Sequence, residues 1–62
     1  MSDTLLTTEQ AADLVRVKPA TLKIWRIKGE GPTFIKVGRL VRYRRATIEK
    51  WLNNLPEQQM TA

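Results

Sequence analysis

The chain has 62 residues, with 11 basic and 6 acidic side chains, a net charge of +5, and neither cysteine nor histidine. This length allows one small domain, and the missing residue types exclude disulfides and the usual zinc sites. No apolar run approaches the roughly 20 residues that span a bilayer. Residues 1–8 have no positive charge, so we expect a cytoplasmic protein without a signal peptide. The positive charge favours nucleic acid as the partner, with an anionic membrane surface as the second option.

The first predicted element is a helix over about Thr8–Val15. Thr7, with Gln10 three residues later, fits a capping box, and Leu6 is placed to begin a hydrophobic staple. From Ala11, apolar residues recur at i, i+3 and i+4, which gives this helix one apolar stripe.

A second helix is predicted over Pro19–Lys28. Its initial proline suits the first helical position, where no N–H is needed, and Gly29 suits the end of the helix. Leu22 and Trp25 are three residues apart, so they share a face. The short connection between the helices contains the apolar Val17. Two short helices with such a turn are typical of a helix-turn-helix.

Residues 33–37 and 41–45 are rich in β-branched and aromatic side chains and flank Gly38-Arg39, which predicts a β-hairpin. Its loop length matters, because a slip of one residue turns every side chain to the other face. A two-residue loop pairs Val37 with Leu40 and mixes apolar and basic side chains on each face. A three-residue loop pairs Val37 with Val41 and puts the apolar and basic side chains on opposite faces, so we expect this register. It places Ile35, Val37, Val41 and Tyr43 inward and Lys36, Arg42 and Arg44 outward.

The last predicted element is a helix that begins between Arg45 and Thr47. From Ile48, apolar residues recur at i, i+3, i+4 and i+7, and the helix must end before Pro56. Residues 56–62 are polar and lack an apolar period, so we expect a disordered tail there. Residues 1–55 then form a mainly α domain with a β-hairpin wing, in the order helix, turn, helix, hairpin, helix.

The charge is distributed unevenly along the chain. All basic side chains lie from Arg16 to Lys50, whereas the residues before Arg16 include acids and no base. Because a polyanion binds a face, this asymmetry marks the second helix and the hairpin as its contact. The candidate DNA-binding residues are Lys18, Thr21, Lys23, Arg26 and Lys28 on the second helix, and Lys36, Arg39, Arg42 and Arg44 on the wing. The alternatives are a solvated charged helix face and protection of an exposed strand edge.

Residue chemistry suggests a role for several of these positions. Thr21 and Lys23 suit base edges in a major groove, and Arg26 suits guanine or a phosphate. Arginines of the wing suit the DNA backbone or a narrow minor groove.

Four aromatic side chains offer either a stacking surface for single-stranded nucleic acid or part of a small core. Both tryptophans lie on apolar stripes, so we expect most of the four in the core, with Phe34 facing outward. The four are Trp25, Phe34, Tyr43 and Trp51.

A second apolar line on the second helix consists of Ala20, Ile24 and Ile27, roughly opposite Leu22 and Trp25. This line either packs against the wing or the last helix, or contacts thymine methyl groups or a neighbouring protomer. The sequence leaves these alternatives open.

Catalysis finds no support in the sequence. The carboxylates are scattered, no histidine or cysteine is present as base, nucleophile or metal ligand, and the Gly29-Glu30-Gly31 segment is too short for a phosphate-binding loop. We therefore expect no enzyme activity, no cofactor and no metal.

Together these segments resemble the excisionase and MerR-like family of short winged helix-turn-helix proteins over Leu5–Leu55. The resemblance rests on Leu6-Thr7, Gln10-Ala11-Ala12, Val17, Pro19, Thr21-Leu22, Trp25, Gly29, Pro32, Gly38-Arg39, Val41-Arg42-Tyr43-Arg44 and Trp51-Leu52. It implies sequence-specific binding of double-stranded DNA, with the second helix in the major groove and the wing beside it. Members of the family include excisionases, which bind near attachment sites, bend DNA and direct an integrase, and small transcriptional regulators.

Three positions differ from the family pattern. Arg16 stands where glycine is usual, Lys18 where a capping serine is usual, and Ile24 where a basic residue is common. We expect no ligand-sensing domain, which favours an excisionase that associates cooperatively with further copies on DNA and contacts an integrase. A minimal transcriptional regulator and a protein-interaction module are the alternatives, and no membrane partner is expected.

Overall fold

The computed structural model describes residues 4–56, which form three helices and a three-stranded antiparallel sheet. The elements in chain order are β1 (Leu5–Leu6), α1 (Thr8–Val15), α2 (Pro19–Lys28), β2 (Ile35–Val37), β3 (Leu40–Arg44) and α3 (Arg45–Asn53). The predicted winged helix-turn-helix is therefore confirmed. The predicted tail beyond residue 56 and residues 1–3 lie outside the described residues.

Helix α1 begins with the predicted capping box. The Gln10 N–H donates to Thr7 Oγ1 over 3.1 Å, and the Thr7 N–H donates to Gln10 Oε1 over 3.0 Å. These two bonds satisfy donors that a helix otherwise leaves unpaired at its N-terminus. The predicted bounds of α1 and α2 are both confirmed.

The turn between α1 and α2 is fixed by backbone geometry. Arg16 ends α1 in the left-handed region, with φ 70° and ψ 40°, and its N–H donates to the Ala12 carbonyl over 2.7 Å. Val17 packs half-buried against the core. Lys18 caps α2 without a side-chain hydrogen bond, so the proline that follows it sets the start of this helix.

Strand β1 is an element that the sequence pattern did not predict. Leu5 pairs with Arg44 and Leu6 with Tyr43, so β1 lies beside β3, and the sheet order is β1-β3-β2. The Arg45 N–H also donates to the Thr4 carbonyl over 3.0 Å. β1 therefore covers one edge of β3 with the segment that leads into α1.

The hairpin has a two-residue loop, so the predicted three-residue loop is wrong. Lys36 pairs with Val41 and Val37 with Leu40 across Gly38-Arg39. Gly38 has φ 64°, and Arg39 has no positive φ, which is the pattern of a type II′ turn. This turn follows the right-handed twist of the strands. Turn geometry therefore outweighs the separation of apolar from basic side chains on which the prediction relied.

The observed register changes which side chains share a face of the hairpin. Ile35 and Val37 lie on the same face as Arg42, and Lys36 lies on the face of Val41, so three of the seven predicted orientations are wrong. Val37 is 48% exposed. The tip of the hairpin extends past the small core, so a mixed face there leaves no polar group buried without a partner.

The core lies between the helices and the sheet. Its fully buried members are Ala11, Ala12, Leu22, Tyr43 and Ile48. The two tryptophans are half-buried and contact each other, with ring centroids 5.8 Å apart and planes at 53°. Phe34 lies against Tyr43, with ring centroids 6.2 Å apart, although it stays 38% exposed. Phe34 is thus exposed, as predicted, and its ring also contacts the buried Tyr43.

Helix α3 follows β3 without a loop and begins at Arg45, within the predicted range. Its N-cap residue, Arg44, makes no side-chain capping bond. Arg45 and Glu49 form an exposed ion pair over 3.2 Å, one helical turn apart. The helix ends at Asn53, before Pro56 as predicted.

Candidate nucleic-acid interface

Helix α2 presents one face to the core and the opposite face to solvent. Leu22 is buried and Trp25 is half-buried, which sets the inner direction at 100° per residue. On the opposite side, Ile27 is 86% exposed, Ile24 is 50% exposed, and Ala20 is also exposed. The alternative that this apolar line packs against the wing or the last helix is therefore wrong for Ile27, and Ile24 is left half in solvent.

Three lysines of the predicted site surround the outer face of α2. Lys18 is exposed at its N-cap, and Lys23 and Lys28 are exposed on the two sides of the apolar line. Within residues 4–56 none of the three forms an ion pair, and α2 contains no acidic residue. Thr21 is half-buried in the first turn. The helix therefore offers uncompensated positive charge on both sides of an apolar centre.

Arg26 has a structural role that the sequence pattern did not reveal. Its Nη1 donates to Thr8 Oγ1 over 3.2 Å and to Tyr43 Oη over 3.0 Å. Its Cζ lies 5.7 Å from the centroid of the Phe34 ring, within the range of a cation–π contact. This one guanidinium thus joins α2 to α1, to β3 and to the segment that enters β2.

The Arg26 contacts explain how two polar groups are accommodated in the core. Thr8 is 8% exposed and Tyr43 is fully buried, and both hydroxyls contact Arg26 Nη1. Among the described residues, no buried side-chain polar atom lacks a hydrogen-bond partner. The signal available in the sequence was a predicted inward tyrosine, whose hydroxyl needs a partner when buried. A DNA contact by Arg26 stays a prediction, and it would have to use guanidinium atoms other than the doubly bonded Nη1.

The wing carries basic side chains on both faces and at its tip. Arg39 is exposed in the turn, and Arg44 is exposed opposite Leu5. Arg42 is half-buried, and its Nη1 donates to the Val41 carbonyl over 2.7 Å. Lys36 is exposed on the other face of the hairpin from Arg42. The structure thus leaves the predicted wing cations near solvent but not on one common face.

The loop between α2 and the wing is packed against α2. Gly31 has φ 80°, and a Cβ added to it would lie 2.7 Å from Trp25 Cε3. Pro32, next in the loop, is buried. Close contact between glycine and the indole therefore fixes where the chain leaves α2 and enters the hairpin.

Among the described residues, no acidic side chain belongs to α2. Glu9 and Asp13 are exposed on α1, Glu30 follows the end of α2, and Glu49 pairs with Arg45. The separation of charge seen in the sequence is thus also a separation between elements of the fold. Residues 4–56 hold no cluster of three side chains suited to a metal ion. None of the helices in that range has the length and apolarity needed to cross a bilayer.

Comparison with known proteins gives one family. No curated protein matches the chain. The family described as helix-turn-helix domain matches residues 5–56, which include all three helices and the whole sheet. The chain therefore belongs to the helix-turn-helix domain family and is a DNA-binding helix-turn-helix protein.

Proposed function

We propose that this protein is an excisionase: a sequence-specific DNA-binding protein without enzyme activity that binds and bends DNA near attachment sites and so directs an integrase. The observation that carries sequence-specific binding is the outer face of α2, where Lys23 and Lys28 are exposed without an ion pair in residues 4–56 and no carboxylate shares the helix. The excisionase role rests on the family that the whole ordered set of motifs resembles.

In this proposal α2 lies in the major groove with its outer face toward the base pairs. Residues near the start of a recognition helix reach base edges. Thr21 is placed to donate or accept there, and Lys23 to donate to guanine O6 and N7. Lys18 and Lys28, at the two ends of the helix, reach phosphates of the groove walls.

The wing supplies the remaining contacts. Arg39 at the tip and Arg44 on the outer face lie along the backbone or reach into a minor groove, where a narrow A-tract attracts arginine. Lys36 and Arg42 add positive charge on either side of the hairpin. These contacts hold the protein in register but carry little sequence information of their own.

A single module of this size covers a small area of DNA. One such domain buries about 600–1,000 Å² of protein surface, which limits the affinity of one copy. We therefore propose that several copies bind repeated sites cooperatively. Each copy adds local bending, and the array presents a surface to the integrase.

The first experiment is a genomic DNA pull-down with the purified full chain at two salt concentrations. An excisionase recovers clustered sites beside an integrase attachment region at the higher salt. The recovered duplexes are then labelled at both ends, and energy transfer reports their bending. Sites at a promoter alone indicate a transcriptional regulator instead. Unchanged DNA geometry together with no contact to an integrase contradicts the proposal.

A further inference from the structure

The apolar line Ala20, Ile24 and Ile27 is the part of α2 that the DNA contacts described above leave unused. It lies at the middle of the outer face, and Ile27 is the most exposed large apolar side chain of residues 4–56. Exposed isoleucine on a small domain loses the free energy that burial would supply. A binding partner that covers this line would recover that free energy.

The charges around the line indicate what covers it. Lys23 lies on one side and Lys28 on the other, and α2 carries no acidic residue. A second copy placed face to face on this line would bring the lysines of two helices together, and like charges repel. A duplex groove instead has anionic walls on both sides of its floor. The charge pattern therefore fits DNA better than a second copy.

The chemistry of isoleucine then restricts which bases are read. Isoleucine has no donor or acceptor, so it gains nothing from the polar edges of guanine, adenine or cytosine. The thymine C5-methyl group is the apolar group that a base pair presents in the major groove. Ala20 to Ile27 spans about 10 Å along the helix axis, which corresponds to about three base-pair steps.

We infer that Ile24 and Ile27 recognise thymine methyl groups within one short segment of the major groove, with the positive charges of Lys23 and Lys28 on either side of them. This inference rests on the proposed DNA-binding function. It adds that the apolar part of the site selects thymine through its methyl group. Ala20, at the end of the line, is small enough to let the helix approach the base edges closely.

The test compares thymine with uracil, which differs by that methyl group alone. The full chain first selects sites from a random duplex library, and the best site is remade with deoxyuridine at each thymine in turn. We expect the Kd to rise about fourfold at each methyl contact, the factor for one buried methyl-sized group. Ile24→Ser and Ile27→Ser should each abolish the uracil effect at one position. Both side chains are exposed, so circular dichroism should show an unchanged fold.

Leu40→Ser is the matched control, because Leu40 is 54% exposed on β3 and lies outside α2. It should retain the full uracil effect. Equal affinity for thymine and uracil sites overturns this inference while leaving DNA binding intact. Absence of any salt-dependent duplex binding overturns both the inference and the proposed function. A uracil effect that survives both Ile24→Ser and Ile27→Ser also overturns the inference. So does sedimentation velocity that shows a dimer of the free protein and a monomer for Ile27→Ser.

Discussion

Arg16→Gly should make this protein more stable, although it removes a side chain. Arg16 has φ 70° and ψ 40°, the left-handed conformation at the end of α1. A residue with a Cβ loses about 1–2 kcal/mol in this conformation. Glycine removes that strain but gains freedom in the unfolded chain, which costs about 0.4–1 kcal/mol. We therefore expect the free energy of unfolding to rise by about 1 kcal/mol net.

Backbone contacts explain why the conformation should survive the substitution. The N–H groups of Arg16 and Val17 both donate to the Ala12 carbonyl, over 2.7 and 3.0 Å. Within residues 4–56 the exposed Arg16 side chain forms no ion pair, so its loss breaks none. Arg16→Ala removes the charge but keeps the Cβ, and it should leave stability almost unchanged.

The assay is urea unfolding followed by tryptophan fluorescence, with thermal unfolding as a second measure. For a domain this small, a gain of 1 kcal/mol corresponds to a rise in Tm of about 4–8 °C. Gly29→Ala should instead lower the stability, because Gly29 has φ 73°, where a residue with a Cβ is strained. Nothing lies within 4 Å of the added Cβ, so the loss would come from the backbone alone. The reasoning is refuted if Arg16→Gly is no more stable than Arg16→Ala.

Four further substitutions test the other roles argued above. Arg26→Lys keeps the charge but removes the guanidinium from the buried Tyr43 hydroxyl, and denaturant unfolding should show a loss of about 1–3 kcal/mol. Trp51→Ala removes a half-buried ring and should cost about 3 kcal/mol in the same assay, the low end for such truncations. Lys23→Ala should cost about 1–3 kcal/mol on the selected site and little on random DNA, and equal losses on both would demote it to a backbone contact. Arg39→Ala should weaken binding to all duplexes and reduce the slope of log K against log salt by about 0.9, so an unchanged slope would exclude a phosphate contact.

Local patterns in the sequence predicted the helices well. Thr7 and Gln10 act on neighbouring backbone groups, and Gly29 ends α2 through its own φ, so each signal and its effect lie within one turn. The bounds of α1 and α2 follow from such signals alone. The end of α3 before Pro56 has the same local origin.

Features that depend on distant pairs were harder to predict. Strand β1 has two residues, too few to show a periodic pattern in the sequence. It is defined by the pairing of Leu5–Leu6 with the end of β3. The hairpin register followed the turn geometry of Gly38, whereas the prediction weighed burial on a wing that extends past the core. Arg26 joins groups 17 and 18 residues away, which no periodic pattern reveals. Its DNA-binding role, like that of the other predicted site residues, stays a prediction.

The positions that conflict with local folding preferences lie in the turn and on the outer face of α2. Arg16 occupies a left-handed position, Lys18 caps α2 without a side-chain bond, and Ile27 is 86% exposed. Each choice is unfavourable or neutral for the isolated domain, but each supplies charge or apolar surface on one segment. Natural sequences depart from local rules chiefly at functional sites. If Arg16→Gly both stabilises the fold and reduces the salt dependence of DNA binding, the arginine is retained for its charge at the expense of stability.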